Sequence, residues 1–355
     1  MEFLYEYGLF LAKAITLVIA IIAVLTVIAA NAMKQKGDKK GELTITNLTE
    51  SFSDLKHHLQ EELLSKEALK ALEKKEKEQA KADKKAEKEK LKSKEKSGES
   101  DEDEASRLFV IDFNGSMDAH EAENLREEVN AVLSVINPQD EVLVRLESPG
   151  GVVHGYGLAA SQLARFRERD IKLTAAVDKV AASGGYMMAS VANTILAAPF
   201  SIIGSIGVIA QIPNFHRLLK KHDIDFEQMT AGEFKRTLTL FGENTDAGRD
   251  KFKEELEETH QLFKGHINQF RPELNLDKVA TGEHWYGTQA KSLGLIDEVQ
   301  TSDDFLMAKA EEKDVFLVKY QTKKTFAEKL PIAAAATIDN TLGRVMNRLD
   351  NLRHS

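Results

Sequence analysis

Short apolar segments alternate with segments of helical periodicity in the first part of this chain's globular sequence. Three apolar segments have the length of a strand, at 108–113, 141–146 and 171–177. Two segments between them, 120–136 and 158–166, place apolar residues at the three-to-four spacing of an amphipathic helix. Strands separated by helices form parallel β-α-β units with right-handed crossovers. The pattern therefore predicts an α/β fold whose site lies at the carboxyl ends of the strands.

Glycine-rich turns follow two of the predicted strands. One is Ser148-Pro149-Gly150-Gly151, and the other surrounds Ser183 in the sequence Ala-Ser-Gly-Gly. A serine at a strand-to-helix junction lies beside unpaired N–H groups of the helix start, which can stabilise a negative oxygen. Ser183 is therefore a candidate nucleophile. The competing interpretation is a plain tight turn in which Ser183 caps the helix.

A serine nucleophile needs a base, and histidine is the first residue type to consider. Asp178 can orient a histidine, so the composition permits a Ser-His-Asp triad. Most of the candidate histidines lie in charged helical segments, where a solvated histidine is the default. The candidates are His216, His222, His260, His266 and His284.

Lys235 is the stronger candidate base. It follows a predicted strand and the turn at Gly232, so it can point back over the edge of the sheet. A lysine accepts a proton only when neutral, so its ordinary pKa of about 10.4 must fall by several units through desolvation or a neighbouring cation. The alternative is a solvated lysine in a loop.

Composition excludes several classes of function. The 355 residues include no cysteine, which excludes disulfides, thiolate catalysis and cysteine-based metal sites. The net charge of -9 argues against a general nucleic-acid binder.

An apolar segment near the N-terminus predicts a membrane anchor. Residues 8–30 contain one charged residue, Lys13, and a helix of this length crosses a bilayer. A cleaved signal peptide is the alternative, because Ala30-Asn31-Ala32 fits a cleavage site, but the leading end is acidic and the apolar core is long. Four lysines follow the segment, and the positive-inside rule therefore favours a cytoplasmic location for the catalytic domain. They are Lys34, Lys36, Lys39 and Lys40.

Three further segments have helical or charged character. Residues 49–72 carry a narrow apolar stripe at helical spacing, which predicts a helix that packs on a partner or on the membrane surface. Residues 66–96 hold 13 lysines and eight acidic residues and predict a charged helical or disordered spacer. Residues 338–352 follow a heptad spacing that favours a terminal helix docking on a partner. Strands are also predicted at 208–211 and 225–229.

Five motifs in order resemble the signal peptide peptidase A family of serine peptidases. The resemblance runs from about 108 to 299, and the anchor and spacer make the whole chain similar to a single-domain bacterial member. The motifs are Ser148-Pro149-Gly150-Gly151, Ala182-Ser183-Gly184-Gly185-Tyr186, Gly204-Ser205-Ile206-Gly207-Val208, Gly232-Glu233-Phe234-Lys235 and the stretch 287–297.

The resemblance implies a Ser-Lys dyad on a crotonase-like, Clp-protease-like α/β fold. By position, Ser183 is the nucleophile, Lys235 the general base, and Ser205 the residue that holds the lysine amine. It also implies a homo-oligomeric ring in which neighbouring protomers complete each site. No cofactor or metal ion is predicted. The oxyanion hole would consist of the Gly184 N–H and an N–H from the turn of Gly150 and Gly151.

The sequence therefore predicts a membrane-anchored serine endopeptidase that cleaves hydrophobic, signal-peptide-like or membrane-derived peptides. Its predicted divisions are an anchor at 1–33, an amphipathic helix and spacer at 34–106, a peptidase domain at 107–320 and a C-terminal amphipathic helix at 321–355. The predicted location is the bacterial inner membrane. The resemblance favours a periplasmic catalytic domain, whereas the lysines after the anchor favour the cytoplasm.

Two other functions are compatible with parts of the pattern. Crotonase-type folds also use glycine-turn oxyanion holes, so an acyl-CoA enzyme is one alternative. A non-catalytic membrane scaffold assembled through its amphipathic helices is the other. A covalent acyl-enzyme at Ser183 would exclude the first, and the second predicts that Ser183→Ala leaves function unchanged.

Overall fold

A computed structural model describes residues 41–72 and 106–321, together with the single residues 7, 8, 11, 13, 15, 16, 74, 75 and 78. The stretch Leu43–Tyr320 forms one compact unit. The other unit consists of Met1–Glu42 and Gln321–Ser355, few of whose residues fall within the described ranges. The candidate site lies in Leu43–Tyr320.

The strands of the described chain form two sheets. They are β1 Glu42–Asn47, β2 Arg107–Asn114, β3 Glu141–Glu147, β4 Lys172–Val177, β5 Val180–Ala182, β6 Thr194–Ala197, β7 Ile202–Gly204, β8 His284–Tyr286, β9 Glu298–Val299 and β10 Asp314–Gln321. The larger sheet has the order β1-β10-β2-β3-β4-β6-β9, and the smaller has the order β5-β7-β8. Every pairing from β10 through β9 is parallel. The predicted α/β class is confirmed.

Helices connect most of the parallel strands. They are α1 Leu48–Leu63, α2 Ala122–Leu133, α3 Val153–Arg167, α4 Gly184–Ala189, α5 His216–Lys221, α6 Asp246–Phe270, α7 Leu276–Val279, α8 Gly287–Ser292 and α9 Ser302–Glu312. The long helix α6 begins where the Thr245 side chain accepts the Gly248 N–H at 3.1 Å. It ends at Phe270, two residues before Pro272, which cannot donate a further helical hydrogen bond.

Both faces of the large sheet are buried. In β2, Leu108 and Val110 belong to one apolar cluster, which α9 and α1 cover. Phe109, Ile111 and Phe113 point to the opposite face, into the main core with α2 and α3. Successive side chains of a strand alternate between the two faces, so a sheet covered on both sides requires continuous apolar runs. This explains the unbroken apolar segment at 108–113.

The small sheet brings three strand ends together. Ser148, just after β3, forms a parallel bridge with Ala181 in β5. β5 pairs in parallel with β7, and Ala182 lies opposite Gly204 in the register. The turns at 148–151, 183 and 205 therefore meet at one edge, as expected for the carboxyl ends of parallel strands.

The segment between Ser205 and Thr245 contains α5 and otherwise lacks regular structure. The strands predicted at 208–211 and 225–229 are therefore wrong. The apolar residues that suggested these strands do not pack into the core. No sheet face covers them, so their alternating pattern does not produce a strand. Many of these side chains are exposed, including Ile209, Ile212, Phe215, Leu218, Ile224, Phe226, Met229, Phe234, Leu240 and Phe241.

The predicted amphipathic stripe divides between two environments on α1. Phe52 packs against the cluster beneath α9, whereas Leu55, Leu59 and Leu63 are exposed. Residues 66–72, the described beginning of the predicted spacer, are helical. The C-terminal helix predicted at 321–355 lies outside the described residues, apart from the strand residue 321.

Within the described ranges, no helix has the length and apolar character needed to cross a bilayer. The anchor predicted at 8–30 lies outside those ranges, apart from the single residues 8, 11, 13, 15 and 16.

Candidate active site

Ser183 has a backbone conformation that few side-chain-bearing residues adopt. It lies between β5 and α4 with φ 52° and ψ −118°. Its N–H donates to the Gly204 carbonyl at 2.8 Å, and its carbonyl accepts the Met187 N–H at 2.9 Å. These two bonds hold the strained residue at the start of α4. A strained non-glycine residue at a strand-to-helix junction is typical of a functional site and argues against a plain capping serine, and Ser183 accepts no capping hydrogen bond on its side chain.

The turn after β3 packs directly against Ser183. Gly150 has φ +88°, and a methyl group added to it would lie 2.7 Å from both Ser183 Cβ and the Gly184 nitrogen. A methyl group on Gly151 would overlap the carbonyl oxygen of Met117. Both glycines are therefore required by close backbone contact, and Gly150 by its conformation as well.

The N–H groups around Ser183 differ in availability. The Gly150 N–H donates to Ser148 Oγ at 3.1 Å, so it is already used. Among the described residues, the N–H groups of Gly151 and Gly184 have no hydrogen-bond acceptor. Gly184 is the first residue of α4, where an N–H has no partner within the helix. Gly151 and Gly184 are thus candidate donors to an oxyanion.

Ser205 resembles Ser183 in position and conformation. It directly follows β7, one residue past the Ala182–Gly204 pair, so the two serines end neighbouring parallel strands in the same register. Its φ is 51°, and its N–H donates to the Glu283 carbonyl at 2.7 Å. The resemblance placed both serines at one site, and the register of β5 and β7 explains their proximity. Their shared strained conformation was not predicted.

Two cavities meet at Ser183. The larger, of about 1080 Å³, also includes Gly150, Gly151 and Ser205. The smaller, of about 400 Å³, includes Gly184 and the apolar side chains of Met187 and Phe263. Helix α6 lines both of them. The sequence predicted this helix but gave no indication that it forms a wall of the site.

Lys235 does not line either cavity at Ser183. Its side chain is exposed and lines a separate cavity of about 780 Å³ with Ile212, Phe226 and Met229. Within one protomer, the structure therefore brings together Ser183, Ser205 and the predicted oxyanion glycines, but not the predicted base. Among the described residues, Lys253 on α6 is the one lysine in the wall of the larger Ser183 cavity.

The histidines do not form a triad with Ser183. His260 lines the larger cavity and His266 the smaller, but among the described residues neither is hydrogen-bonded to Ser183. His266 Nε2 instead donates to the Met187 carbonyl at 3.1 Å, and burial lowers the pKa of this imidazole. Asp178 accepts the N–H and hydroxyl of Ser302 at the start of α9, so it caps a helix and does not orient a histidine.

Comparison with known proteins gives consistent matches over nearly the whole chain. Residues 2–163 match the N-terminal part of peptidase family S49, and residues 165–316 match peptidase family S49. A probable protease SohB of Haemophilus influenzae is 53% identical over 344 residues, which cover 97% of this chain and 96% of the relative. A probable protease SohB of Buchnera aphidicola subsp. Acyrthosiphon pisum is 46% identical over 345 residues, with 97% and 98% covered. A putative protease MJ0651 of Methanocaldococcus jannaschii is 33% identical over 171 residues, with 46% and 53% covered.

Proposed function

This chain belongs to peptidase family S49, and from that premise we propose that it is a membrane-anchored serine endopeptidase with Ser183 as nucleophile and Lys235 as general base. The resemblance drawn from the five sequence motifs is confirmed, and the relatives support a peptidase. The proposal rests above all on one observation: a strained serine lies at the junction of two cavities, beside two backbone N–H groups with no acceptor among the described residues.

The proposed reaction uses these groups in two steps. Neutral Lys235 accepts the Ser183 proton as Oγ attacks a peptide carbonyl, and the N–H groups of Gly151 and Gly184 stabilise the resulting oxyanion. The carbon–nitrogen bond breaks, the proton passes to the departing amine, and an acyl-enzyme remains at Ser183. Water then hydrolyses the ester and regenerates the serine. Ser205 is proposed to hold the lysine amine through its hydroxyl.

We assign Lys235 to the site of a neighbouring protomer in a ring. This assignment is supported by the absence of Lys235 from the Ser183 cavity and by the exposed apolar side chains of the segment that carries it. A large exposed apolar surface is typical of a protein interface. Burial of a lysine in such an interface removes water from its ammonium group and favours the neutral base.

The apolar lining of the smaller cavity favours hydrophobic peptides as substrates. Its wall includes Met187, Leu262 and Phe263, while Tyr186 and Met188, next to Met187 in sequence, are buried in the core. In this proposal the segment 8–30 anchors the enzyme in the bacterial inner membrane. Protease accessibility of the peptidase domain in spheroplasts determines on which side it lies.

The decisive test is intact mass spectrometry of the full-length chain after incubation with a serine-reactive fluorophosphonate. We expect one adduct on the wild type and none on Ser183→Ala. Labelling of Lys235→Ala should slow by about 10²- to 10⁴-fold, the usual effect of removing a general base.

Lys253→Ala is the matched comparison, because Lys253 lines the Ser183 cavity of the same protomer. Loss of labelling in Lys253→Ala with normal labelling of Lys235→Ala would move the base to Lys253. Wild-type labelling of Ser183→Ala would contradict the peptidase proposal itself.

A further inference from the structure

Tyr156 is a fully buried residue of α3 with its hydroxyl beside the turn after β3. The hydroxyl donates to the Ser116 carbonyl at 2.8 Å and is also hydrogen-bonded to Ser148 Oγ. Ser148 Oγ in turn accepts the Gly150 N–H at 3.1 Å. Burial raises the pKa of Tyr156, so its hydroxyl remains protonated and able to donate at neutral pH.

These contacts form a chain of hydrogen bonds with one consistent direction. The Gly150 N–H donates to Ser148 Oγ, the Ser148 hydroxyl donates to Tyr156, and the Tyr156 hydroxyl donates to Ser116. Ser148 is fully buried, so no water replaces either partner. This series of hydrogen bonds thus connects α3 to the turn that carries Gly151, whose N–H has no acceptor among the described residues.

The far end of this chain of hydrogen bonds is itself fixed. The Ser116 N–H and hydroxyl both donate to Glu121 Oε2, at 3.1 and 2.8 Å. The preceding Gly115 N–H donates to the Glu147 carbonyl at 3.0 Å, and the Met117 carbonyl accepts the Val152 N–H at 2.8 Å. The loop after β2 therefore gives the Tyr156 hydroxyl a fixed acceptor at Ser116. The same loop also holds the end of the 148–151 turn, through Val152.

The ring of Tyr156 contacts the second half of the site. A methyl group on Gly184 would overlap Tyr156 Cγ, so the base of the ring packs closely against the first residue of α4. Tyr156 therefore contacts Gly184 through its ring and the Gly150 turn through its hydroxyl. The Tyr156 side chain lines the smaller cavity, and among the described residues its hydroxyl makes no hydrogen bond to Ser183.

We propose that Tyr156 is a positioning residue of the oxyanion hole. It sets the spacing and direction of the Gly151 and Gly184 N–H groups through Ser148 and through its ring. Donors held in place before the reaction stabilise a developing charge without reorganisation, so small displacements reduce the rate rather than substrate binding. This inference rests on the proposed function, because it assumes that Ser183 is the nucleophile.

The test compares two tyrosines that are equally buried. Tyr156→Phe removes the donor to the Ser116 carbonyl, and Tyr186→Phe removes a donor to the Leu295 carbonyl, also at 2.8 Å. Tyr156→Phe loses two buried hydrogen bonds, to Ser116 and from Ser148, and Tyr186→Phe loses one. Only Tyr156 leads to the Gly150 turn. The readouts are the maximal rate and half-saturating concentration of fluorophosphonate labelling of the full-length chain, with its thermal unfolding.

We expect Tyr156→Phe to lower the maximal labelling rate about tenfold with its half-saturating concentration unchanged. Both variants should lower the unfolding temperature through lost hydrogen bonds, but Tyr186→Phe should label at the wild-type rate. Ser148→Ala should reproduce the slow labelling. The double variant Ser148→Ala/Tyr156→Phe should be no slower than the slower single variant, because both act through one hydrogen-bonded chain.

Wild-type labelling of Tyr156→Phe would overturn the proposal, and so would equal slowing in Tyr186→Phe, which would indicate general loss of packing. Ser148→Ala alone decides the question if Tyr156→Phe does not fold. Ser183→Ala, labelled in parallel, separates the two ideas: an adduct on that variant would reject the proposed nucleophile, whatever Tyr156→Phe shows.

Discussion

At the scale of single residues, the site depends on backbone conformations that sequence patterns only partly indicate. Ser183 and Ser205 both have φ near +50°, a region that glycine adopts far more readily than serine. Each is held there by one hydrogen bond from its own N–H to a neighbouring strand or loop carbonyl. Strain of this kind persists only where the surrounding structure enforces it.

Gly150→Ala should strongly impair the enzyme. The new methyl group would lie 2.7 Å from Ser183 Cβ and from the Gly184 nitrogen, in a backbone conformation that alanine rarely adopts. We expect the rate of peptide hydrolysis to fall at least about 10²-fold, as for loss of an oxyanion donor. The measurement is steady-state hydrolysis of a fluorogenic peptide amide.

Gly265→Ala is the matched control for this substitution. Gly265 lies within α6, and a methyl group there meets no atom within 4 Å. We expect unchanged hydrolysis and a gain in unfolding free energy of up to about 1 kcal/mol, because alanine favours a helix over glycine. Equal activity in Gly150→Ala and Gly265→Ala would contradict the placement of Gly150 in the site.

At the scale of elements, two contacts connect helices to strand ends. Asp178, directly after β4, accepts the N–H of Ser302 at 2.8 Å and also the Ser302 hydroxyl, so it caps α9. Glu128 of α2 accepts the Tyr320 N–H at 2.8 Å, which joins this helix to β10. Asp178 therefore holds the start of α9, and Glu128 joins α2 to β10. Neither residue lies among the proposed reacting groups.

Asp178→Ala should destabilise the protein without removing activity. It leaves the first N–H of α9 and a buried serine hydroxyl without their acceptor, a change that costs about 1–2 kcal/mol at a helix start. The measurement is urea-induced unfolding. Asp178→Asn should lose less stability than Asp178→Ala, because its amide oxygen can still accept a hydrogen bond. Loss of serine labelling in a folded Asp178→Ala protein would show instead that Asp178 acts in catalysis.

Stability should fall as the pH rises towards neutrality because of Glu128. Burial raises the pKa of this carboxyl from 4.5 to about 7. Between these values the folded protein holds a proton that the unfolded chain has released. The contribution of Glu128 to the free energy of unfolding is therefore complete below pH 4.5 and is lost as the pH rises through about 7. The loss is roughly 3 kcal/mol at most.

Glu128→Gln is the test of this pH dependence. The amide carbonyl can still accept the Tyr320 N–H, but it does not titrate. We expect the variant to be more stable than the wild type at pH 8 and nearly equal to it at pH 4.5, in chemical unfolding at both pH values. If the unfolding free energies of the two proteins changed equally with pH, the role assigned to Glu128 would be contradicted.

At the scale of the whole molecule, the segment 205–245 contributes one apolar side chain, Ile206, to the buried core of its own protomer. It exposes apolar side chains and carries Lys235 in a cavity separate from that of Ser183. An assembly that covers this segment would bury the apolar surface and desolvate the lysine together. The proposed ring therefore accounts for both observations.

Mixing two inactive variants tests whether protomers share a site. Coexpressed Ser183→Ala and Lys235→Ala chains should regain activity, because one chain supplies the serine and its neighbour supplies the lysine. With random assembly in a ring, about a quarter of the sites contain both native residues. Activity is measured after purification through a tag on each chain.

The control is coexpression of Ser183→Ala with a double variant, Ser183→Ala/Lys235→Ala, which should remain inactive. Absence of activity in a mixed assembly of the two single variants would place serine and lysine in the same protomer.

The sequence by itself determined the α/β class, the strands around the turns, the long helix α6 and the family. These follow from local periodicity and from motifs whose residues are adjacent along the chain. Only the tertiary structure decided which of these residues meet. The register of β5 and β7 placed Ser205 beside Ser183, and packing of α3 brought Tyr156 against the Gly150 turn. The strands predicted at 208–211 and 225–229 did not form, because an apolar pattern specifies burial but not whether its own domain supplies the covering surface.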